Sequence, residues 1–368
     1  MSSLTRTSFV ASLLPVTVLA FTAAPQDSTR DSTLVSRNGF LPLPIFFYTP
    51  ETGIAGGGSV LYFYRNPDDG PHTRPSNLAS DVIYTEEHQL IAEVGYELYF
   101  QHEQYRIGGS FEFVKYPDKF FGIGNQTPDS LEERFTARSI RIRINALTAI
   151  SKEFNAGLTY YFENRKMVEV DPTHALATGL VPGSTGGITS GAGVLCTWDT
   201  RDNIFSAYHG RFYQASLMFS HPTIGSDYKF GRFNIDLREF KQLGESQILA
   251  FQAFGIFTSG TAPFHKLATL GGQNLMRGYF EGRYRDNDYL AVQTEFRTTI
   301  FWRIGGVAFL GAGDVAHTLS GFKLAEVKPS YGLGVRFSFS PEERLNIRMD
   351  FGFGKGSSGV YVGASEVF

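Results

Sequence analysis

The sequence predicts an all-β protein, a closed transmembrane antiparallel β-barrel of about sixteen strands. Composition is the first observation behind that reading. Of 368 residues, 40 are Gly and 34 are Phe, while charged residues make up only 19%, against roughly 25% in ordinary soluble domains. Glycine and phenylalanine in excess, with charge thinned out, fit many strands, tight turns and a large apolar outer surface. The second observation is alternation over long runs. Several reach about ten residues or more, near the 9–11 that a tilted membrane strand needs and beyond the usual 5–6. Strand by strand a soluble β-sandwich would alternate equally well; length favours the membrane. The third is an asymmetry of connections, long on one side and short on the other, as in bacterial barrels.

Taken in order, residues 1–24 read as a signal peptide. Arg6 precedes an uncharged apolar run from Phe9 to Phe21, and small residues follow. The run is shorter than the ~20 residues of a membrane helix, and cleavage is expected after Ala20 or Ala24. Residues 25–40 form a short periplasmic lead-in, and 41–368 the barrel. Its strands are expected at 41–49, 53–65, 78–87, 89–100, 104–116, 133–149, 152–165 and 188–199. They continue at 209–221, 227–239, 246–258, 288–300, 304–316, 329–340, 343–354 and 358–368. With both termini periplasmic, the connections 117–132, 166–187, 259–287 and 317–328 fall outside the cell. Connection 66–77 is long where a short turn is expected.

Face assignments follow from the period of two. Leu345, Ile347, Met349, Phe351 and Phe353 share the apolar face; Arg344, Asn346, Arg348, Asp350 and Gly352 share the polar one. In the same way Gln293, Glu295 and Arg297 point inward, opposite Val292, Phe296 and Ile300.

The composition also excludes. A net charge of −3 leaves no basic excess to neutralise phosphates, so no nucleic-acid partner is expected. The apolar content is too high for disorder. A lone Cys196 rules out an internal disulfide framework and a Cys-based zinc site. The eight histidines form no two-histidine metal motif, and no Gly-x-Ser-x-Gly elbow or phosphate-binding glycine loop is present. No metal, no cofactor and no enzymatic activity are expected.

One loop carries the most specific signal: Leu270-Gly271-Gly272-Gln273-Asn274-Leu275-Met276-Arg277-Gly278-Tyr279, then Gly282-Arg283-Tyr284-Arg285-Asp286. It resembles the loop signature of the BamA/TamA outer-membrane assembly superfamily, the bacterial surface antigens, whose core is Arg-Gly-Phe/Tyr. Four further pieces are similar and in the same order. Phe120-Phe121-Gly122-Ile123-Gly124-Asn125 resembles the early loop. Asp199-Thr200-Arg201-Asp202-Asn203, with Gly210 after it, resembles the central periplasmic turn. Glu295-Phe296-Arg297 resembles the strand after the signature loop. Arg348-Met349-Asp350-Phe351-Gly352 and Phe368 resemble the last two strands, with Val360, Val362 and Phe368 as the C-terminal barrel signal. The resemblance spans about residues 40–368 and is to the branch without periplasmic POTRA domains.

That resemblance implies that Met276, Arg277, Gly278 and Tyr279 fold into the lumen, where Arg277 meets an acidic wall residue. Glu295 matches one such residue. The usual second acid is replaced by Gly311, which makes Asp314 the alternative partner if a bulge re-aims it. A guanidinium left unpaired in a confined lumen would be costly. The implied function is assistance of protein insertion or translocation at the outer membrane of a Gram-negative envelope. The implied partners are outer-membrane lipids, client barrel proteins and a separate periplasmic recruiting protein. A passive pore or a surface-exposed structural protein is the alternative.

Overall fold

The computed structural model describes residues 39–64 and 75–368. The expected signal peptide, most of the lead-in and most of connection 66–77 lie outside the described residues. The first half of the barrel wall is β1 (Gly39–Thr49), β2 (Gly53–Tyr64), β3 (Ser76–Thr85), β4 (Leu90–Phe100), β5 (Tyr105–Phe120), β6 (Glu133–Ala149), β7 (Phe154–Val170) and β8 (Gly187–Asp199). The second half begins with β9 (Gly210–Ser220), β10 (Lys229–Gln242) and β11 (Ile248–Thr261). Two short strands follow inside connection 262–287, β12 (Ala268–Leu270) and β13 (Tyr284–Asp286), paired as a separate hairpin. The wall resumes with β14 (Asp288–Phe301), β15 (Ile304–Ala316), β16 (Lys328–Ser340), β17 (Leu345–Gly354) and β18 (Ser357–Ala364). Sixteen wall strands pair antiparallel with their neighbours, and β18 closes on β1.

Alternation sorts the side chains as expected except at Leu345, placed on the outer face by the period of two but buried at the start of β17. Leu333, Val335, Ile347, Met349, Phe351 and Phe353 are exposed on the outer face, while Arg336, Arg348 and Asp350 are buried within. Apolar exposure on this scale would be an aggregation hazard in water; in a bilayer it is the lipid-facing band. β5, β6 and β7 contain 16, 17 and 17 residues. They continue past the length a membrane strand needs, and past the ends expected for β5 and β7, because their ends on the side of the long connections go on pairing.

Closure is uneven. β1 and β2 share eleven register pairs and β17 and β18 share eight, but β1 and β18 share one, Tyr48↔Val362. Pro42 and Pro44 on β1 supply part of the reason. Proline is tolerated in a strand where its missing N–H faces away from a paired neighbour. Both prolines pair with β2 in register, at Val60 and Gly58, so their nitrogens belong to the β18 side. Continued downward, the Tyr48↔Val362 register would set Pro44 against Glu366 and Pro42 against Phe368. The chain does not continue there. The expected last strand, 358–368, is corrected to Ser357–Ala364, and Ser365 turns the chain away at φ +67°.

Candidate functional site

Connection 262–287 folds into the barrel, and Arg277 is its most deeply placed charge, fully buried. One guanidinium nitrogen donates to Glu295 of β14. The other terminal nitrogen donates to Asp350 of β17 at 2.8 Å. The ring of Phe309 on β15 lies 3.5 Å from the guanidinium carbon, a cation–π contact in a desolvated site. Neither acid depends on Arg277 alone. Glu295 also accepts from Arg297 at 2.9 Å, and Asp350 from Arg336 at 2.6 Å and Arg348 at 3.3 Å. Four arginines and two carboxylates thus form one buried network, to which Glu366 adds a third acid through Arg336 at 2.8 Å.

The backbone beside Arg277 explains why glycine follows it. Gly278 has φ +103°, and a Cβ there would stand 2.5 Å from the Phe353 carbonyl carbon. Gly352 faces it, with its own missing Cβ 2.7 Å from the Arg277 carbonyl carbon. Two glycines in contact let loop backbone lie directly on the wall. The Gly278 N–H donates to the Tyr361 hydroxyl at 2.9 Å, and Ser330 donates to the Arg277 carbonyl at 2.6 Å. Tyr279 donates to the Pro329 carbonyl at 2.9 Å and accepts from the Lys355 N–H at 2.7 Å. Met276 and Tyr279 are buried with Ile256, Ala268, Leu270, Tyr289, Ala291 and Val315. The loop is therefore welded to β14–β18, next to the thin seam.

A second anchor holds the other end of the loop to the opposite wall. Lys266 donates to Glu163 of β7 and to the Tyr161 hydroxyl, each at 2.5 Å, and its carbonyl accepts from Arg232 of β10 at 2.5 Å. His265 stands 3.5 Å from the same Glu163 carboxylate. Burial pushes the His265 imidazole down to about 3, with the Arg165 guanidinium adding to the effect.

Above, the early loop caps the hairpin. Gly124 N–H donates to the Arg285 carbonyl at 2.7 Å, Phe121 packs edge-on against Phe280, and Arg283 pairs with Asp129 at 2.6 Å. Asp314 serves this cap. It accepts from Lys328 at 2.6 Å and Asn125 at 3.1 Å, and it makes no bond to Arg277, which corrects the alternative pairing. The companion acid beside Glu295 is Asp350. Sequence reasoning placed it on the inward face without giving it a partner, although an inward acid between Arg348 and Gly352 was a usable signal.

Below, the β8–β9 turn crosses the floor of the barrel. Arg201 makes two bonds to Asp199, at 3.0 and 2.9 Å, and lies over Phe212. Asp202 accepts from the backbone N–H of Tyr208 and His209 and pairs with Arg344 of the β16–β17 turn. Asn203 accepts from the N–H of Phe205 and Ser206 and donates to the Glu343 carbonyl. Gly210, at φ +106°, fits where a Cβ would meet the Thr200 oxygen at 2.3 Å. The last residues join this floor. Val367 and Phe368 pack with Ala207, Phe240 and Ala250, and Arg297 donates to the Phe368 carbonyl at 2.9 Å. Phe368 is thus a floor residue, whereas Val360 lies exposed on the outer wall and Val362 forms the seam pair.

The Omp85 superfamily domain model matches residues 79–367. The chain belongs to the Omp85 superfamily. Its barrel is similar to that of BamA from Haemophilus ducreyi lacking POTRA domains 1-3, with 12% identity and a TM-score of 0.64 over 89% of this chain and 70% of that one. CdiB from Acinetobacter baumannii gives 15% and 0.57, and CdiB from Escherichia coli 10% and 0.60, each over 89% of this chain. The chain spans 59% and 62% of those two CdiB chains. At such identities the likeness is one of fold. No curated protein matches the chain. Membership of the Omp85 superfamily accords with the five ordered motifs, and each of them has residues at a contact of the inward loop, its cap or the floor, Val360 and Val362 of the C-terminal signal excepted.

Proposed function

We propose that this Omp85 barrel acts at the outer membrane to insert or translocate proteins, using the β1–β18 seam as the place where a client strand is received. The observation that carries the reading is the single register pair at that seam beside eleven and eight at its neighbours. An edge with unpaired backbone groups adds strands readily. The loop lock supports the same reading. Arg277 and Lys266 tie connection 262–287 to opposite walls, so the lumen holds a charged, bonded plug, which disfavours a passive open pore. Client barrel proteins are the partners in this scheme and outer-membrane lipids the medium.

The test is photo-crosslinking in cells from positions along Phe40–Tyr48 of β1 and Val360–Ala364 of β18. Adducts with nascent barrel proteins at both edges are the expected result. Absence of client adducts at both edges, combined with steady ion conductance of the unaltered protein in planar bilayers, would replace this reading with the pore.

A further inference from the structure

We propose that the outer wall at β10, β11, β14 and β15 carries a site for one phospholipid whose headgroup bears both a phosphate and a primary ammonium. Large apolar side chains cover most of that wall, but here a groove of about 610 Å³ runs across it. The small residues Ala253, Thr294 and Ala312 line it together with Leu237, Phe251, Val292 and Leu310. Strand register shows its course. Leu237, Ala253, Val292 and Ala312 are successive partners on neighbouring strands. Leu237 stands five positions from the periplasmic end of β10 at Gln242, Ala312 eight from that of β15 at Ile304. The groove therefore climbs obliquely from the periplasmic rim into the apolar band, as an acyl chain would.

Its lower end decides the headgroup. Glu239 and Tyr213 line the groove there. Glu239 is the register partner of Arg211 and pairs with it at 3.1 Å, and both side chains remain more than half exposed on the lipid side. A guanidinium and a carboxylate side by side, at headgroup depth, complement a zwitterion. Phosphate oxygens accept from Arg211, and a primary ammonium donates to Glu239. An anionic headgroup would meet Glu239 with repulsion. A quaternary ammonium has no N–H to give. Trp198, edge-on to Tyr213 at 6.3 Å, completes an interfacial aromatic border. The proposal requires the barrel to sit in a bilayer and is independent of the insertion reading.

Quenching by bromine-labelled acyl chains tests it. The full chain with Phe296→Trp, on the outer face of β14 beside the groove, in a Trp198→Tyr, Trp302→Phe background, has one tryptophan and keeps every groove-lining residue. In phosphatidylglycerol bilayers, brominated phosphatidylethanolamine is expected to associate there roughly tenfold more strongly than brominated phosphatidylglycerol, about the contribution of one charge-assisted hydrogen bond. Arg211→Ala and Glu239→Gln, both exposed positions, should each bring that ratio towards one. Ala253→Leu with Ala312→Leu, checked for folding by heat-modifiable migration, should do so by filling the groove. A ratio near one in the unaltered groove, or a preference that survives all three changes, means annular lipid only and overturns the site.

Discussion

Arg277 has two carboxylate partners, and each partner keeps another arginine when Arg277 is removed. Stripping one member from a buried ion pair costs roughly 3–5 kcal/mol when a charge is left uncompensated. Because Arg297 and Arg336 remain, Arg277→Ala should fall at or below the low end of that range. It should be read as faster proteolysis within 262–287. The double change Arg277→Ala, Glu295→Gln should be little worse than either single, the non-additivity of a direct contact, whereas Asp314→Asn should add independently. Additivity with Glu295 would mean that the contact contributes nothing. His265 gives the loop a pH dependence of definite sign. Its folded pKa of about 3 lies below the ordinary 6.5, so the unfolded loop binds the extra proton first. The buried neutral ring leaves the anchored loop at full stability above about pH 6.5, and that stability is lost as pH falls towards 3. Protection factors of the 264–267 amides, corrected for the slower intrinsic exchange in acid, should therefore fall as pH drops, and His265→Gln should flatten that response. An unchanged acid response in the glutamine variant would assign it to another group.

Single strands carry their own tests. Ile347 is exposed on the outer face of β17, so Ile347→Arg should cost about 2–4 kcal/mol near the bilayer midplane, measured by urea unfolding in lipid vesicles. Ser338→Arg, on the lumen side of β16 beside Asn346, should be far milder. Equal costs would contradict the assigned faces. Arg348 is no neutral control, since it bonds Asp350 and Gln273. On β1, Pro42→Thr with Pro44→Thr returns two donors to the seam edge. If that edge receives client strands, crosslinked adducts should increase, since one ladder hydrogen bond is worth about 1 kcal/mol. No change in yield would show that the missing donors do not limit strand addition.

The molecule as a whole is closed by its wall, its plug and its floor. A barrel without free edges except at one seam should resist unfolding in detergent until boiled and migrate faster on gels when unheated; no mobility shift would count against a closed barrel. An epitope at Leu180 or Leu324, both strongly exposed on the long connections, should be reached by antibody on intact cells, and one in the turn 341–344 should not. The reverse pattern would invert the topology.

The sequence by itself determined the number of wall strands, most of their inward and outward faces, the grouping of the long connections on one side and the loop that carries Arg277. Those features are local, set by a period of two and by runs of glycine and polar residues. The inward direction of Glu295 was legible for the same reason. Only the tertiary structure decided which walls the loop touches: Asp350 beside Glu295, Lys266 against Glu163 on the far side, and Asp314 given to the cap. Alternation tells which way a side chain points, but its partner across the lumen depends on barrel closure and on the course of a loop that contacts both walls. The seam and the inward tail are decided at the same level, because whether β18 zips onto β1 depends on how the two ends of a sixteen-stranded sheet meet.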